Sequence, residues 1–414
     1  MIGLAGTGYL PLSSSRELER LMKRYYLLTR YHRFWGGPLR RPLAWVTSGA
    51  PVELLRALGI DTLYPENFGA IYGARRVGPQ LCLAAEAQGY PADLCSYARA
   101  NLGAILRPEL APLGGLPRPD LLVVANNICG TVLKWYETLA RHFDAPLFIV
   151  DMPFVDAGDG LASDHAVAYV AGQLGRLATE LERLTGRRLR PDALRRRMEW
   201  SNDTVHLWQA IRELGKHRPA PLNVPDLFVQ MAPIVVMRPT PQAAAYYRRL
   251  LDEAAGRVRQ GVGAVEGERY RLLWDNIAIW YSLYRFFNLF SRRGAAFVVD
   301  TYTAGWAGAV AAGDPLESLA RTYTQVFLNQ SFEFRVREMV RLIREYEVDG
   351  FVMHSNRSCK PYSLIQEEMR RRVTAETGVP GLIIEADMVD SRAYGEEPVR
   401  NRVEAFLESL ETRA

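Results

Sequence analysis

Short apolar runs of three to five residues, separated by longer helix-like stretches, recur along most of this 414-residue chain. Leu43 to Thr47, Thr62 to Tyr64, Leu121 to Ala125 and Leu147 to Val150 form one series, and Tyr270 to Trp274, Ala295 to Val299, Gly350 to Met353 and Leu382 to Ala386 form another. Runs so short and so uniformly apolar read as strands buried on both faces, and helices between them make the sheets parallel. The helices expected are Val52 to Leu58, Gln80 to Gln88, Leu133 to Phe143, Leu316 to Asn329, Phe332 to Tyr346, Tyr362 to Thr377 and Pro398 to Leu410. Between the two series the strand signal fades, and amphipathic stretches such as Pro191 to Leu214 and Ala243 to Val258 take over. A chain of this length exceeds one ordinary core. The fold class expected is α/β, with a helical arm at 1–40, a first α/β domain at 41–155, a helical insert at 156–267 and a second α/β domain at 268–414.

Composition excludes some classes. Apolar residues at 48% and charged residues at 23% are ordinary for a globular chain and leave no room for a disordered one. The net charge of +5 concentrates in Arg183 to Arg197, where Arg187, Arg188, Arg190 and Arg195 to Arg197 crowd a helix-like stretch. That run reads first as a solvated helix face and second as a docking surface for an acidic partner or a coenzyme phosphate. No stacking-aromatic pattern accompanies it, so no nucleic-acid partner is expected. Met1 to Ser15 lacks a basic segment leading into a long apolar one, and no apolar run approaches the roughly 18 to 20 residues of a membrane span. A cytoplasmic, membrane-free protein is expected. Four cysteines at wide, irregular spacing fit a reducing compartment better than a disulfide framework.

Three of those cysteines stand in polar segments: Asp93-Leu-Cys95-Ser-Tyr-Ala-Arg99, Asn126-Asn-Ile-Cys129-Gly-Thr131 and Ser355-Asn-Arg-Ser-Cys359-Lys-Pro361. Cys129 and Cys359 each follow a strand-like run, where open α/β sheets place their chemistry. Free cysteine is usually a core residue, and Cys82, inside the apolar Leu81-Cys-Leu-Ala-Ala85, is read that way. The other three are wrapped in hydrogen-bonding side chains and read as ligands. They come from both α/β units, so they can meet only where the domains face each other. Zinc would want three or four protein ligands, often with histidine, and only His354 stands near a motif cysteine. Three thiolates on a four-iron cube leave one iron open. Spacing alone leaves cluster and zinc both possible.

The stretches Leu63-Tyr-Pro-Glu-Asn67, Asp93-Leu-Cys-Ser-Tyr-Ala-Arg99, Asn126-Asn-Ile-Cys-Gly-Thr-Val-Leu-Lys-Trp-Tyr-Glu137 and Asn356-Arg-Ser-Cys-Lys360 together resemble the 2-hydroxyacyl-CoA dehydratase family, which includes benzoyl-CoA reductase subunits. The likeness runs from about Leu43 to the final helix and weakens in the helical middle. It implies two Rossmann-like domains and a 4Fe-4S cluster held by Cys95, Cys129 and Cys359. It further implies that Ser48 and Glu66 face an acyl-CoA thioester substrate, Ser48 as a hydrogen-bonding group and Glu66 as a proton handler. Taken alone, Ser48 also fits a helix cap before Pro51, and Glu66 a surface turn after Pro65.

Two kinds of partner are implied as well: a homologous second dehydratase subunit, and an ATP-hydrolysing iron–sulfur activator that delivers the electron. The chain has no phosphate loop of its own, and Gly6-Thr-Gly8 precedes no strand–helix unit, so ATP is expected elsewhere. Within the family the alternative is an aromatic-ring reductase subunit. Outside it, the alternatives are a non-catalytic iron–sulfur electron carrier and a zinc-binding structural protein.

Overall fold

The structure is a computed structural model that describes residues 12–34 and 40–412. Gly6-Thr-Gly8 and the helix-breaking Gly36-Gly-Pro38 lie outside the described residues. All eight expected strands are present: β1 (Leu43–Val46), β2 (Asp61–Leu63), β3 (Leu121–Ala125), β4 (Leu147–Val150), β5 (Tyr270–Asp275), β6 (Ala295–Asp300), β7 (Gly350–Asn356) and β8 (Gly381–Ala386). They form two four-stranded parallel sheets, ordered β2-β1-β3-β4 and β6-β5-β7-β8. The two sheets therefore share one topology. In each the order reverses beside the first strand, and the carboxyl ends there are where such sheets leave a crevice.

Both faces of the second sheet are covered, and alternation along its strands shows it. Ala295 and Phe297 of β6 and Val352 of β7 join the large core shared with the first domain. Their neighbours Ala296, Val298, Phe351 and Met353 point the other way, into a separate core with Met339 and Ile343 of the helix Phe332–Glu345.

Helices fill the chain between 164 and 260 and bind the domains together. The helix Pro191–Glu213 packs on Val52–Ala57 of the first domain, and Asp164–Thr185 packs on Pro315–Thr324 of the second. The arginine-rich run is not one helix. Gly186, at φ 67°, ends the first helix, and the next starts at Pro191. Arg188 and Arg190 pair with Glu182 and Asp192, whereas Arg187 turns inward to the carbonyls of Leu58 and Gly59. Among the described residues no helix is long and apolar enough to cross a membrane.

One buried ion pair sits where all three parts meet. Glu53, fully buried at the start of a first-domain helix, accepts hydrogen bonds from Ser201 Oγ at 2.5 Å and Tyr323 Oη at 2.7 Å and lies 3.3 Å from Arg238 Nε. Removing one partner strands the other charge, so we expect Glu53→Ala to cost about 3–5 kcal/mol, measured as a fall in the urea midpoint. Glu53→Ala combined with Arg238→Ala should cost less than the sum of the single changes.

Candidate active site

Ser48, Glu66, Cys129 and Cys359 each follow the carboxyl end of a strand or lie in the first turn of the helix after one, whereas Cys95 precedes the third helix after β2. Ser48 lies two residues beyond β1, and Glu66 sits in the first turn of the helix Pro65–Ala74 that follows β2. Ser48 does not cap the next helix, which starts at Val52 behind Pro51 with no side-chain cap. Instead its backbone N–H donates to Glu66 Oε2 at 2.8 Å and its hydroxyl to Oε1 at 3.0 Å. Glu66 is no surface turn residue either, being only 9% exposed. Burial pushes its carboxyl up to about 7, against the opposing pull of the two Ser48 hydrogen bonds.

The three motif cysteines share one local design. Cys95 caps the helix Ser96–Leu106, Cys359 caps Lys360–Ser363, and Cys129 lies just ahead of Thr131–Phe143. Backbone N–H groups of the first turns reach each sulfur: Tyr97 and Ala98 for Cys95, Thr131 and Val132 for Cys129, and Tyr362 for Cys359. Helix amino termini favour negative charge, so each position suits a thiolate. Burial opposes this, pushing the Cys95 thiol up to about 12, Cys129 up to about 11 and Cys359 well above its ordinary value. The charges interact: Cys129 raises Cys95, and both raise Cys359. The Ser96 N–H donates to Ser358 Oγ at 3.0 Å, joining the Cys95 and Cys359 segments directly across the domain boundary. Cys82 is fully buried, with Sγ 3.9 Å from the Ser96 carbonyl, in keeping with its core reading.

The polar side chains that surround the cysteines in sequence face elsewhere. Asn126 holds Asp151 and the Met152 N–H, and Asn127 donates to the carbonyls of Gly49 and Tyr323. Arg99 is buried against Glu86 and Asp390, and Ser358 donates to Asp387. One motif side chain is the exception: the Thr131 hydroxyl reaches Cys129, and the other donors at the sulfurs are backbone amides. His354 is neutral, burial holding it down at about 4, and its Nδ1–H donates to the Ile277 carbonyl at 2.7 Å. Among the described residues no three His, Cys, Asp or Glu side chains are compact enough for a single metal ion. A zinc ion would draw its sulfur ligands to about 2.3 Å. A cluster spreads them wider, since each sulfur binds a different iron. Three inward-facing thiols, each met by helix-terminal amides, are the donor set such a cluster takes.

Ser48 and Glu66 line a cavity of about 1870 Å³ between the domains. Tyr97, Trp280, Tyr302 and Trp306 line it too, and sequence reasoning missed all four as site residues. Trp306 Nε1 donates to the Ser48 carbonyl at 3.3 Å, and Trp280 Nε1 to Tyr97 Oη at 2.5 Å. Tyr97 and Tyr302 share a hydrogen bond. Tyr97 feels both Glu66 and Cys95, and Tyr302 both Glu66 and Cys359, so the two phenols stand between carboxylate and thiols. Burial pushes both hydroxyls up, which keeps them protonated as donors. Tyr97 had a signal, standing two residues after Cys95 in the same motif. Tyr302 and Trp306, after β6, had none. Towards solvent the cavity is rimmed by exposed cations, among them Arg75, Arg76, Arg285, Arg292 and Arg400.

Comparison with known proteins gives the family. Residues 47–410 match the family described as 2-hydroxyglutaryl-CoA dehydratase, D-component. The chain is 33% identical to the (R)-2-hydroxyisocaproyl-CoA dehydratase alpha subunit of Clostridioides difficile, covering 90% of this chain and 91% of the relative. It is 32% identical to the lactoyl-CoA dehydratase subunit alpha of Anaerotignum propionicum, covering 89% and 90%. A benzoyl-CoA reductase subunit of Thauera aromatica is 29% identical, with 87% of each chain covered. Matched along nearly its whole length, the chain belongs to the 2-hydroxyglutaryl-CoA dehydratase D-component family.

Proposed function

We propose that this chain is the substrate-binding, iron–sulfur subunit of a cytoplasmic 2-hydroxyacyl-CoA dehydratase, which removes water from a 2-hydroxyacyl-CoA to give an enoyl-CoA. One observation carries the reading: a buried carboxylate raised to about 7 and held by Ser48 lines a cavity with a basic rim and raises the thiol of Cys129, one of three mutually interacting cysteines. Relatives named as alpha subunits of dehydratases support it, and support a second subunit as partner. The exposed arginines at the rim suit the phosphates of coenzyme A.

Cys95, Cys129 and Cys359 would hold a 4Fe-4S cluster. When bound, it would supply the electron that the thioester carbonyl takes up and an open iron for the departing hydroxyl. That first electron would come from an ATP-hydrolysing iron–sulfur activator. The protein does the rest. A β-hydrogen is not acidified by the ground-state thioester, but it becomes acidic once the carbonyl carries an electron and the α-hydroxyl has left. Glu66, near 7, is matched to take that proton at neutral pH. Ser48 fixes the carboxylate's direction. Tyr97 and Tyr302, both protonated, spend one hydroxyl proton on the hydrogen bond between them, and the other is free to donate to oxygen on the substrate. The hydroxide released and the proton taken make one water, and the electron is returned at the end of turnover.

Anaerobic incubation with activator, ATP, a reductant and the partner subunit tests this. The expected product of a 2-hydroxyacyl-CoA is the enoyl-CoA. A cyclic diene from benzoyl-CoA would make the chain a ring-reductase subunit instead. If no acyl-CoA perturbs the spectrum of the loaded protein, the chain is an electron carrier and the catalytic reading fails.

A further inference from the structure

The group attached to the substrate's β-carbon must lie within a few ångströms of Glu66, because Glu66 has to reach the β-hydrogen. That neighbourhood is built of aromatic rings. Tyr97 presses on the helix that carries Glu66: a Cβ on Gly69, one turn further on, would stand 2.3 Å from the ring. Trp306 covers the Ser48 carbonyl and meets Tyr302 edge-on with centroids 5.2 Å apart. Phe228 lies 5.9 Å from the Tyr302 ring and 6.0 Å from that of Trp280. The indole N–H groups of Trp280 and Trp306 are both spent within this wall, on Tyr97 and Ser48.

The cavity's cations are elsewhere. Arg75, the residue closing the Glu66 helix, is nine residues on, about 14 Å along the axis at 1.5 Å per residue. Arg16, Lys23, Arg75, Arg76, Arg285, Arg292 and Arg400 all occupy exposed positions, and Lys23 pairs with Glu19. Arg30 is half-buried but bound to the carbonyls of Leu113 and Gly115. The buried Arg238 is matched by Glu53 and does not line the cavity.

A carboxylate on the acyl group would thus be desolvated among rings, beside the like charge of Glu66, while the cations of the cavity lining are exposed or bound to other groups. We propose that the site selects 2-hydroxyacyl thioesters whose β-substituent is uncharged and apolar, aryl or branched alkyl, and excludes dicarboxylic ones. This rests on the dehydratase reading above.

The test is a binding and turnover panel on the anaerobically assembled enzyme. It compares 2-hydroxy-3-phenylpropanoyl-CoA, 2-hydroxy-4-methylpentanoyl-CoA, 2-hydroxyglutaryl-CoA and free coenzyme A. The two apolar thioesters should bind, and turn over as kcat/KM, at least about 100-fold better than the dicarboxylic one. A 2-hydroxyglutaryl-CoA within about tenfold of them would overturn the acyl inference and leave the dehydratase reading standing. If no thioester is turned over or binds better than free coenzyme A, the dehydratase reading fails and takes the inference with it.

Discussion

Alanine in place of Cys95, Cys129 or Cys359 is expected to strip iron and sulfide from the anaerobically purified protein and to abolish turnover, whereas Cys82→Ala should leave both intact. Each of the three sulfurs stands at a helix amino terminus with backbone amides on it, in a position where burial alone would keep it a neutral thiol. Metal ligation reverses that balance, because the ligating form is the thiolate. Two remaining cysteines cannot supply the ligand of the third, whether it is lost from the first domain, as Cys95 or Cys129, or from the second, as Cys359. The wild type should carry about four irons and about four sulfides per chain. Cys82 has the same chemistry but lies in the first-domain core without such amides, so its loss should cost only packing. Iron retained by any of the three variants would remove that cysteine from the ligand set. A zinc-loaded, sulfide-free wild type would end the cluster assignment.

The central strands were legible because buried residues in a row leave an unbroken apolar signature, as in β3, where all five residues are buried. The edge strands β4 and β8, also expected to be buried on both faces, are mostly apolar but only partly buried. Two helices at the site were not. Ser96–Leu106 has its first nine residues, Ser96 to Ala104, buried, including Arg99 and Asn101. A helix buried all round has no polar face, hence no period of 3.6 to read. Pro65–Ala74 is hidden for the same reason, with Glu66, Phe68, Tyr72 and two glycines inside. The expected helix Tyr362 to Thr377 is broken between Ser363 and Gln366, and Leu316 to Asn329 ends at Thr324 before a short turn. The cysteines were read as ligands from their polar segments, and Ser48 and Glu66 were found through motif resemblance. Their meeting is a property of how the two domains pack, as in the Ser96–Ser358 hydrogen bond between the Cys95 and Cys359 segments. Polar neighbours of a cysteine in sequence proved mixed guides to what touches its sulfur: Thr131 reaches Cys129, but Asn127 and Arg99 bind the second domain and Asn126 holds the turn after β4.

Glu66→Gln should lower turnover by about 10²- to 10⁴-fold while leaving substrate affinity within a few-fold, the range for loss of a positioned general base. Glutamine keeps the size of the side chain and can still accept from Ser48, so the defect should appear in kcat and not in folding or iron content. The pH profile makes the assignment specific. With the carboxyl raised from 4.5 to about 7, only the ionised fraction can take a proton. Activity should therefore rise with pH, fall about tenfold for each unit below 7, and level off above it. Stability should run the other way. A carboxyl whose folded value lies above its unfolded one favours the folded state at low pH, and that contribution is lost as pH rises from about 4.5 through 7. Ser48→Ala removes a hydrogen bond that holds Glu66 down, so its activity profile should turn at a higher pH than the wild type. A Glu66→Gln enzyme with an unchanged pH profile would show that the proton is taken by another group.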